Sequence, residues 1–220
     1  MKAVLFDFNG TLFDDTRFHL EAWQKYMGDR FGMHMTLEEV RRRFIGPNNR
    51  EIFHDVLGDG LTEEEIERYS FEKEEVYRAV ARSNPANMHL MEGAPELFDL
   101  LAERGIPFAL ATASARYNVD FYLDELGMDK WFDLSRIVYD EGLLPSKPDP
   151  AFYLEAARRI HTDPADCIIV EDSPAGIQAA VNAGAGRIIA IDRTMPRAQL
   201  EANPAIHAIV HDYVGFEIYL

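Results

Sequence analysis

The sequence predicts an α/β fold: a doubly wound parallel sheet interrupted by an inserted block of helices. Three observations lead there. Short β-branched or apolar runs alternate with helical patterns over residues 88–220. Residues 2–6 carry the same strand texture at the opposite end of the chain. Residues 15–86 show helix signals and little strand character. Strand-helix alternation implies a parallel sheet covered on both faces.

The strand runs are "AVLF", "PFALAT", "RIVY", "CIIVE", "RIIAI" and "AIVH". All are too short to be helices and are bounded by turn or helix signals. Helical patterns between them centre on 94–104, 116–126, 150–161 and 174–183, and Gly105, Gly127 and Gly184 stand where helix C-caps belong. Within 15–86, Leu20, Trp23, Met27 and Phe31 fall on one helical stripe ended by Gly32. Thr36 with Glu39, and Thr62 with Glu65, repeat the capping-box pattern at the start of two further helices. The expected organisation is therefore a core from 1–14 and 87–220, with a helical cap at 15–86. Its joints are Phe13–Asp15 and "SNPANMHLMEG".

Composition narrows the function. Of the 220 residues, 47% are apolar, enough for a sizeable core, yet no run is long enough to span a bilayer. The amino-terminal "MKAVLFDF" lacks the form of a signal peptide. Cys167 is the only cysteine, which excludes an intramolecular disulfide and a cysteine zinc cluster. The expectation is a cytoplasmic protein. A formal net charge of −16 argues against nucleic acid and anionic membranes as partners. It leaves room for a small phosphorylated metabolite, because a metal and a few cations can invert the field inside one cleft.

Four positions at or beyond strand ends can carry chemistry: Asp7-Phe8-Asn9-Gly10-Thr11, Thr112 with Ser114, Lys147 in "PSKPDP", and Glu171-Asp172. Each has a plain alternative. Asn-Gly is a common turn dipeptide, Thr112 and Ser114 can cap a helix, Lys147 can be a solvated loop residue, and "EDSP" can simply begin a helix with Ser173 as N-cap and Pro174 at its first position. Together they form one toolkit at the edge where ligands of such sheets bind. Acidic groups can hold Mg²⁺, a hydroxyl and a lysine can bind phosphate oxygens, and one aspartate remains as nucleophile.

This ordered set resembles the haloacid dehalogenase-like hydrolase superfamily, over essentially the whole chain. The first motif, Asp-x-Asp-Gly-Thr, stands here as Asp7-Phe8-Asn9-Gly10-Thr11. Thr112 is similar to the second, Lys147 to the third, and Glu171-Asp172 to the acidic fourth. "FHLEAW" and "EDSPAGIQAA" resemble the β-phosphoglucomutase-like branch, which carries a helical cap after the first motif. The resemblance implies a Rossmann-like core and an aspartyl-phosphate on Asp7. It implies Mg²⁺ held by Asp7, the backbone carbonyl of Asn9 and Asp172, with Glu171 close by. Thr112 and Lys147 would bind the transferring phosphoryl group, with Ser114 and Arg116 as candidates for a second phosphate.

Asn9 departs from the pattern. The family's phosphatases use an aspartate there as acid and base, and an amide can do neither. That help is worth roughly 10²–10⁴-fold, so a slowed enzyme is expected. His19 has two readings: a substitute near the site, or a packing residue of the insertion. Arg50 in "GPNNRE" is a weak substrate candidate, and Arg41-Arg42-Arg43 reads as a solvated helix face. The leading expectation is a Mg²⁺-dependent phosphatase. The alternatives are a phosphoglucomutase-like isomerase and a non-catalytic phospholigand-binding protein.

Overall fold

The computed structural model describes residues 2–44 and 48–220. The chain divides into two compact units, residues 1–14 with 89–220, and residues 15–88. The first is an α/β unit. Its strands are β1 (Ala3–Phe6), β2 (Phe108–Ala115), β3 (Ile137–Asp140), β4 (Cys167–Glu171), β5 (Arg187–Ile191) and β6 (Ala208–Val210). They form one parallel sheet in the order β3-β2-β1-β4-β5-β6. The central strands are buried end to end: β1 and β4 have no exposed residue. That is why "AVLF" and "CIIVE" read as continuous apolar runs rather than alternating ones. Ala3, Leu5, Cys167 and Ile169 face one apolar layer with Ala109, Ile177 and Ala190. On β1, Phe6 takes the other side and meets Phe98 edge-on with ring centres 5.5 Å apart. Each fully buried Leu, Ile or Phe contributes roughly 1.5–3 kcal/mol.

The second unit is helical: α1 (Thr16–Phe31), α2 (Leu37–Phe44), α3 (Asn49–Leu57) and α4 (Glu63–Arg82). Leu20, Trp23 and Met27 of α1 bury against Val40, Phe44, Phe53 and Tyr69, with Phe31 packed beside them. Gly32, at φ 67°, ends α1 in the left-handed region, and its N–H and that of Met33 bond back to Gly28 and Met27. Both expected capping boxes are made. Thr36 N–H donates to Glu39 at 2.7 Å and Glu39 N–H returns to Thr36 Oγ1 at 3.2 Å. Thr62 and Glu65 do the same at 2.9 and 3.2 Å. A third box, Asn48 with Glu51, opens α3 and escaped the sequence reading. It makes Asn48-Asn49-Arg50-Glu51 a helix start, and Arg50 on α3 pairs with Glu63. Gly46 and Pro47 of that motif lie outside the described residues. The Arg41–Arg43 run is exposed, and Arg43 pairs with Asp55 at 2.7 Å.

The α/β unit continues with α5 (Ala94–Glu103), α6 (Arg116–Glu125), α7 (Ala151–Arg159), α8 (Pro174–Asn182) and α9 (Arg197–Glu201). In the observed strand order the chain runs outward from β1 through β2 to β3, then returns to β4 on β1's other side. The carboxyl ends of β1 and β4 therefore flank the switch point, where an open α/β sheet leaves a crevice. Among the described residues no helix is long and apolar enough to cross a membrane.

Candidate active site

β1 delivers Asp7 to that switch point. Asp7 N–H donates to Val170 O at 3.0 Å, so the residue extends the ladder beside β4. The chain then folds back on itself. The N–H groups of Thr11, Leu12 and Phe13 all converge on Phe8 O, and Gly10 N–H donates to Phe13 O at 2.8 Å. Gly10 is needed twice over. Its φ is +77°, and a Cβ there would lie 2.3 Å from Asp172 Oδ2.

Lys147 Nζ donates to Asp7 Oδ1 at 2.7 Å, to Glu171 Oε1 at 2.6 Å and to Tyr153 Oη at 3.0 Å. Tyr153, on α7, donates its own proton to Glu171 Oε1 at 2.7 Å. The second oxygen of Glu171 accepts from Asp172 N–H at 2.9 Å, Ser173 N–H at 3.0 Å and Ser173 Oγ at 3.1 Å. Both oxygens of Glu171 are thus engaged, so it orients Lys147 and the following backbone. Asp172 is held by Thr11, whose Oγ1 donates to Oδ1 at 3.0 Å, and by Thr194, whose Oγ1 donates to its carbonyl at 2.5 Å. Tyr213 closes the loop from beneath, its hydroxyl donating to Thr11 O at 3.0 Å. Ser173 caps α8 by accepting from Gly176 N–H at 3.0 Å, with Pro174 at the first helical position. Gly176 leaves room for Glu171, because a Cβ there would fall 1.6 Å from Oε1.

The electrostatics follow from this crowding. Burial pushes the Asp7 carboxyl up to about 7, Lys147 pulling it down and Glu171 adding to the rise. Burial, then the charges of Glu171 and Asp7, push Asp172 well above the usual carboxylate range. Burial also works against charge on Glu171, but Lys147 and the Ser173 and Tyr153 donors outweigh it and hold Glu171 below its ordinary value. Lys147 is raised despite its burial, because Asp7 and Glu171 face it. Three carboxylates and one ammonium leave the cluster short of positive charge. Oxygens of Asp7, Glu171 and Asp172 lie within 4.8 Å of one another. An all-oxygen donor set with unbalanced negative charge fits a hard divalent cation such as Mg²⁺.

The remaining expected residues are distributed as follows. Thr112 and Ser114, in the second half of β2, reach Asn9: Ser114 Oγ donates to Asn9 Oδ1 at 2.7 Å and Thr112 Oγ1 does so at 3.4 Å. Arg116 is exposed and paired with Asp120 at 2.7 Å. His19 belongs to a cluster of the helical unit: its Nδ1 is 2.9 Å from Lys73 Nζ, its Nε2 is 3.3 Å from Asp15, and its ring stacks on Tyr77 at 4.2 Å. Tyr122, Tyr153, Thr194 and Tyr213 escaped the sequence reading. Tyr122 and Tyr153 lie on helices α6 and α7, where an aromatic reads as core. The one available signal is that a buried tyrosine hydroxyl needs a partner.

A haloacid dehalogenase-like hydrolase family model matches residues 1–184. Among curated relatives, the chain is 28% identical over 209 residues to a phosphorylated carbohydrates phosphatase of Thermotoga maritima, covering 92% of each chain. It is 30% identical over 190 residues to a β-phosphoglucomutase of Bacillus subtilis, covering 84% of this chain and 80% of that one. Among solved structures, a HAD hydrolase of family IA, variant 3, from Entamoeba histolytica superposes with a TM-score of 0.90 at 31% identity, over 98% of this chain and 95% of the other. A family match over most of its length, together with the ordered Asp7, Thr112, Lys147 and Glu171-Asp172 set, makes this chain a member of the haloacid dehalogenase-like hydrolase family.

Proposed function

We propose that the chain is a Mg²⁺-dependent phosphatase of a small phosphorylated carbohydrate or related metabolite, working through an aspartyl-phosphate on Asp7. The observation that carries this reading is the unbalanced cluster at the switch point, with a reactive-type carboxylate held by a lysine whose side chain is 9% exposed. Phosphatase activity accords with the family and with the Thermotoga relative. Asp7, Asp172 and the backbone carbonyl of Asn9 would hold Mg²⁺, with Glu171 beside them. When bound, the ion would supply positive charge against an anionic nucleophile and an anionic phosphoryl group.

The protein's own groups do the rest. Asp7 Oδ1 is fixed by Lys147, which leaves the other oxygen to attack phosphorus as the bond to the leaving oxygen breaks. Lys147 offsets charge on the transferring phosphoryl group. Water then attacks phosphorus and frees Asp7. Asn9 cannot give the leaving oxygen its proton or take one from that water, so poor leaving groups suffer most. Substrate selection is assigned to the helical unit, residues 15–88.

The isomerase reading needs a second phosphate site. It loses support because the Ser114 hydroxyl is spent on Asn9 and Arg116 on Asp120. Phosphate release from a panel of sugar and aryl phosphates, with and without Mg²⁺, tests the proposal. The expected result is Mg²⁺-dependent release, faster for aryl phosphates. Release that is indifferent to chelation, or none from any substrate, would overturn it.

A further inference from the structure

Asn9-Gly10 is an Asn-Gly pair where the resemblance implies the second aspartate of the first motif. Such a pair converts readily, because glycine leaves the next backbone nitrogen unhindered. Gly10 N attacks Asn9 Cγ, a new N–Cγ bond forms, and the bond between Asn9 Cγ and Nδ2 breaks. Ammonia leaves with the proton of the Gly10 amide. Water then opens the cyclic imide to aspartate or isoaspartate. In this fold, conversion would alter the chemistry of the site.

The side chain of Asn9 is tied on both ends. Its Nδ2 donates to Tyr122 Oη at 3.0 Å, and its Oδ1 accepts from Ser114 Oγ at 2.7 Å. Ser114 Oγ and Tyr122 Oη are themselves 3.4 Å apart. The three groups form a ring with one proton on each edge, and Thr112 Oγ1 adds a second, longer donor to Asn9 Oδ1 at 3.4 Å. Reversing the amide reverses the sense of the ring and leaves it closed. A carboxylate at position 9 has no proton to give, so it would take both hydroxyl protons and open the Tyr122–Ser114 edge. Tyr122 is itself fixed, buried with its ring 4.3 Å from that of Phe8 and 6.3 Å from that of Phe13. Those two residues bracket the loop. The attacking atom is engaged too, since Gly10 N–H donates to Phe13 O at 2.8 Å.

We propose that Ser114 and Tyr122 are positioning residues that lock the Asn9 side chain and keep the Asn9-Gly10 pair from converting to aspartate. The proposal stands on this geometry and does not depend on the substrate or on turnover. For Gly10 N to reach Asn9 Cγ, the Asn9 amide must leave Tyr122, Ser114 and the longer Thr112 contact, and Gly10 must leave Phe13. Conversion therefore needs a local opening rather than a fluctuation within the folded loop.

The test is peptide mapping of residue 9 after prolonged incubation in mildly alkaline buffer. Native wild type, Tyr122→Phe, Ser114→Ala and the urea-unfolded protein are compared. Leu200→Ala, a buried position on α9, controls for general loss of stability. Native wild type should convert at least ~10-fold more slowly than the unfolded protein. Tyr122→Phe and Ser114→Ala should each convert roughly five-fold faster than wild type, or more. Leu200→Ala, at an equal fraction folded, should match wild type. If Tyr122→Phe does not fold, Ser114→Ala decides the matter alone. Native wild type converting as fast as the unfolded protein would overturn the proposal. So would variants of the ring that convert no faster than Leu200→Ala.

Discussion

In the α/β unit, Asp7, Glu171 and Asp172 gather around one lysine, Lys147. In the helical unit, Asp15 and Glu74 meet Lys73, His19 and Tyr77. Lys73 Nζ donates to Glu74 at 2.7 Å, and Tyr77 donates to Asp15 at 2.7 Å. Both clusters are buried and built from the same residue types. They differ in ratio: three carboxylates face one lysine in the first, and two face one lysine in the second, with His19 and Tyr77 as further partners. Lys73 also lies 4.9 Å from the centre of the Trp23 ring, so its charge is met on several sides. Burial pushes the Glu74 carboxyl up, yet Lys73, His19 and the hydrogen bonds outweigh it and hold Glu74 down at about 2. In the other cluster Asp7 sits at about 7 and Asp172 is pushed up as well. A balanced buried cluster supports its own fold, whereas one with surplus charge is poised for a ligand.

Neutralising one carboxylate in each cluster gives the sharpest contrast. Asp7→Asn should abolish turnover, a loss on the order of 10⁴-fold or more. It should leave thermal stability equal or higher, because it lowers the surplus of negative charge. Beryllium fluoride with Mg²⁺ should protect wild type and not the mutant. Measurable turnover in Asp7→Asn would refute the assignment of the nucleophile, and a large fall in its melting temperature would break the comparison.

Asn9→Asp is next in size. It restores a titratable group with almost no change in volume. On a sugar phosphate the rate should rise by about 10²-fold. On aryl phosphates only the hydrolytic half-reaction should gain, as burst kinetics would reveal. The measurement requires wild type verified by mass to retain Asn9. Equal rates on a sugar phosphate would mean that another group already supplies the proton.

Glu74→Gln tests the balanced cluster. The folded value of Glu74 lies below its ordinary 4.5. Its ionised form therefore stabilises the fold above that value, and the contribution is lost as pH falls from 4.5 to about 2. Urea unfolding at neutral pH should show a loss of about 3 kcal/mol in the variant. The gap to wild type should narrow steadily in acid. A gap that does not change with pH would mean the charge pair contributes nothing.

The smallest effect expected is from the cation itself. Mg²⁺ at tenfold excess over its Kd should stabilise wild type by about 1.4 kcal/mol. Calorimetry should find this shift lost in Asp172→Asn and retained in Glu74→Gln. A shift that survives in Asp172→Asn would place the ion elsewhere.

The helical unit shows how far pattern alone reaches. Leu20, Trp23 and Met27 were legible because their burial repeats at the helical period, and Thr36 and Thr62 because a capping box is local in sequence. The box at Asn48 is equally local, but the Gly-Pro-Asn-Asn context reads as a loop. In the α/β unit, Asp7, Lys147, Glu171 and Asp172 could be singled out because each stands at a strand end or in the loop beyond one. Their mutual distances could not, since Lys147 and Asp7 are 140 positions apart, and Lys147 reaches Asp7 from the loop between β3 and α7 only once the unit has packed.

What the sequence by itself determined is what depends on near neighbours: strands, helices, their caps, and the order of the chemical groups. Tertiary structure decided which hydroxyls meet which oxygens. Tyr153 and Tyr122 occupy apolar stripes of helices and look like core. Only packing shows that the first bridges Lys147 and Glu171 and that the second holds Asn9. It also shows that Glu171 spends both oxygens on protein donors and is held low, while burial and its acidic neighbours push Asp172 up, although the two are adjacent in sequence. The physical reason is that a hydrogen bond depends on direction and on a few tenths of an ångström. Residue type and spacing bring the groups to one edge of the sheet, but that precision is set only when the strands and helices pack.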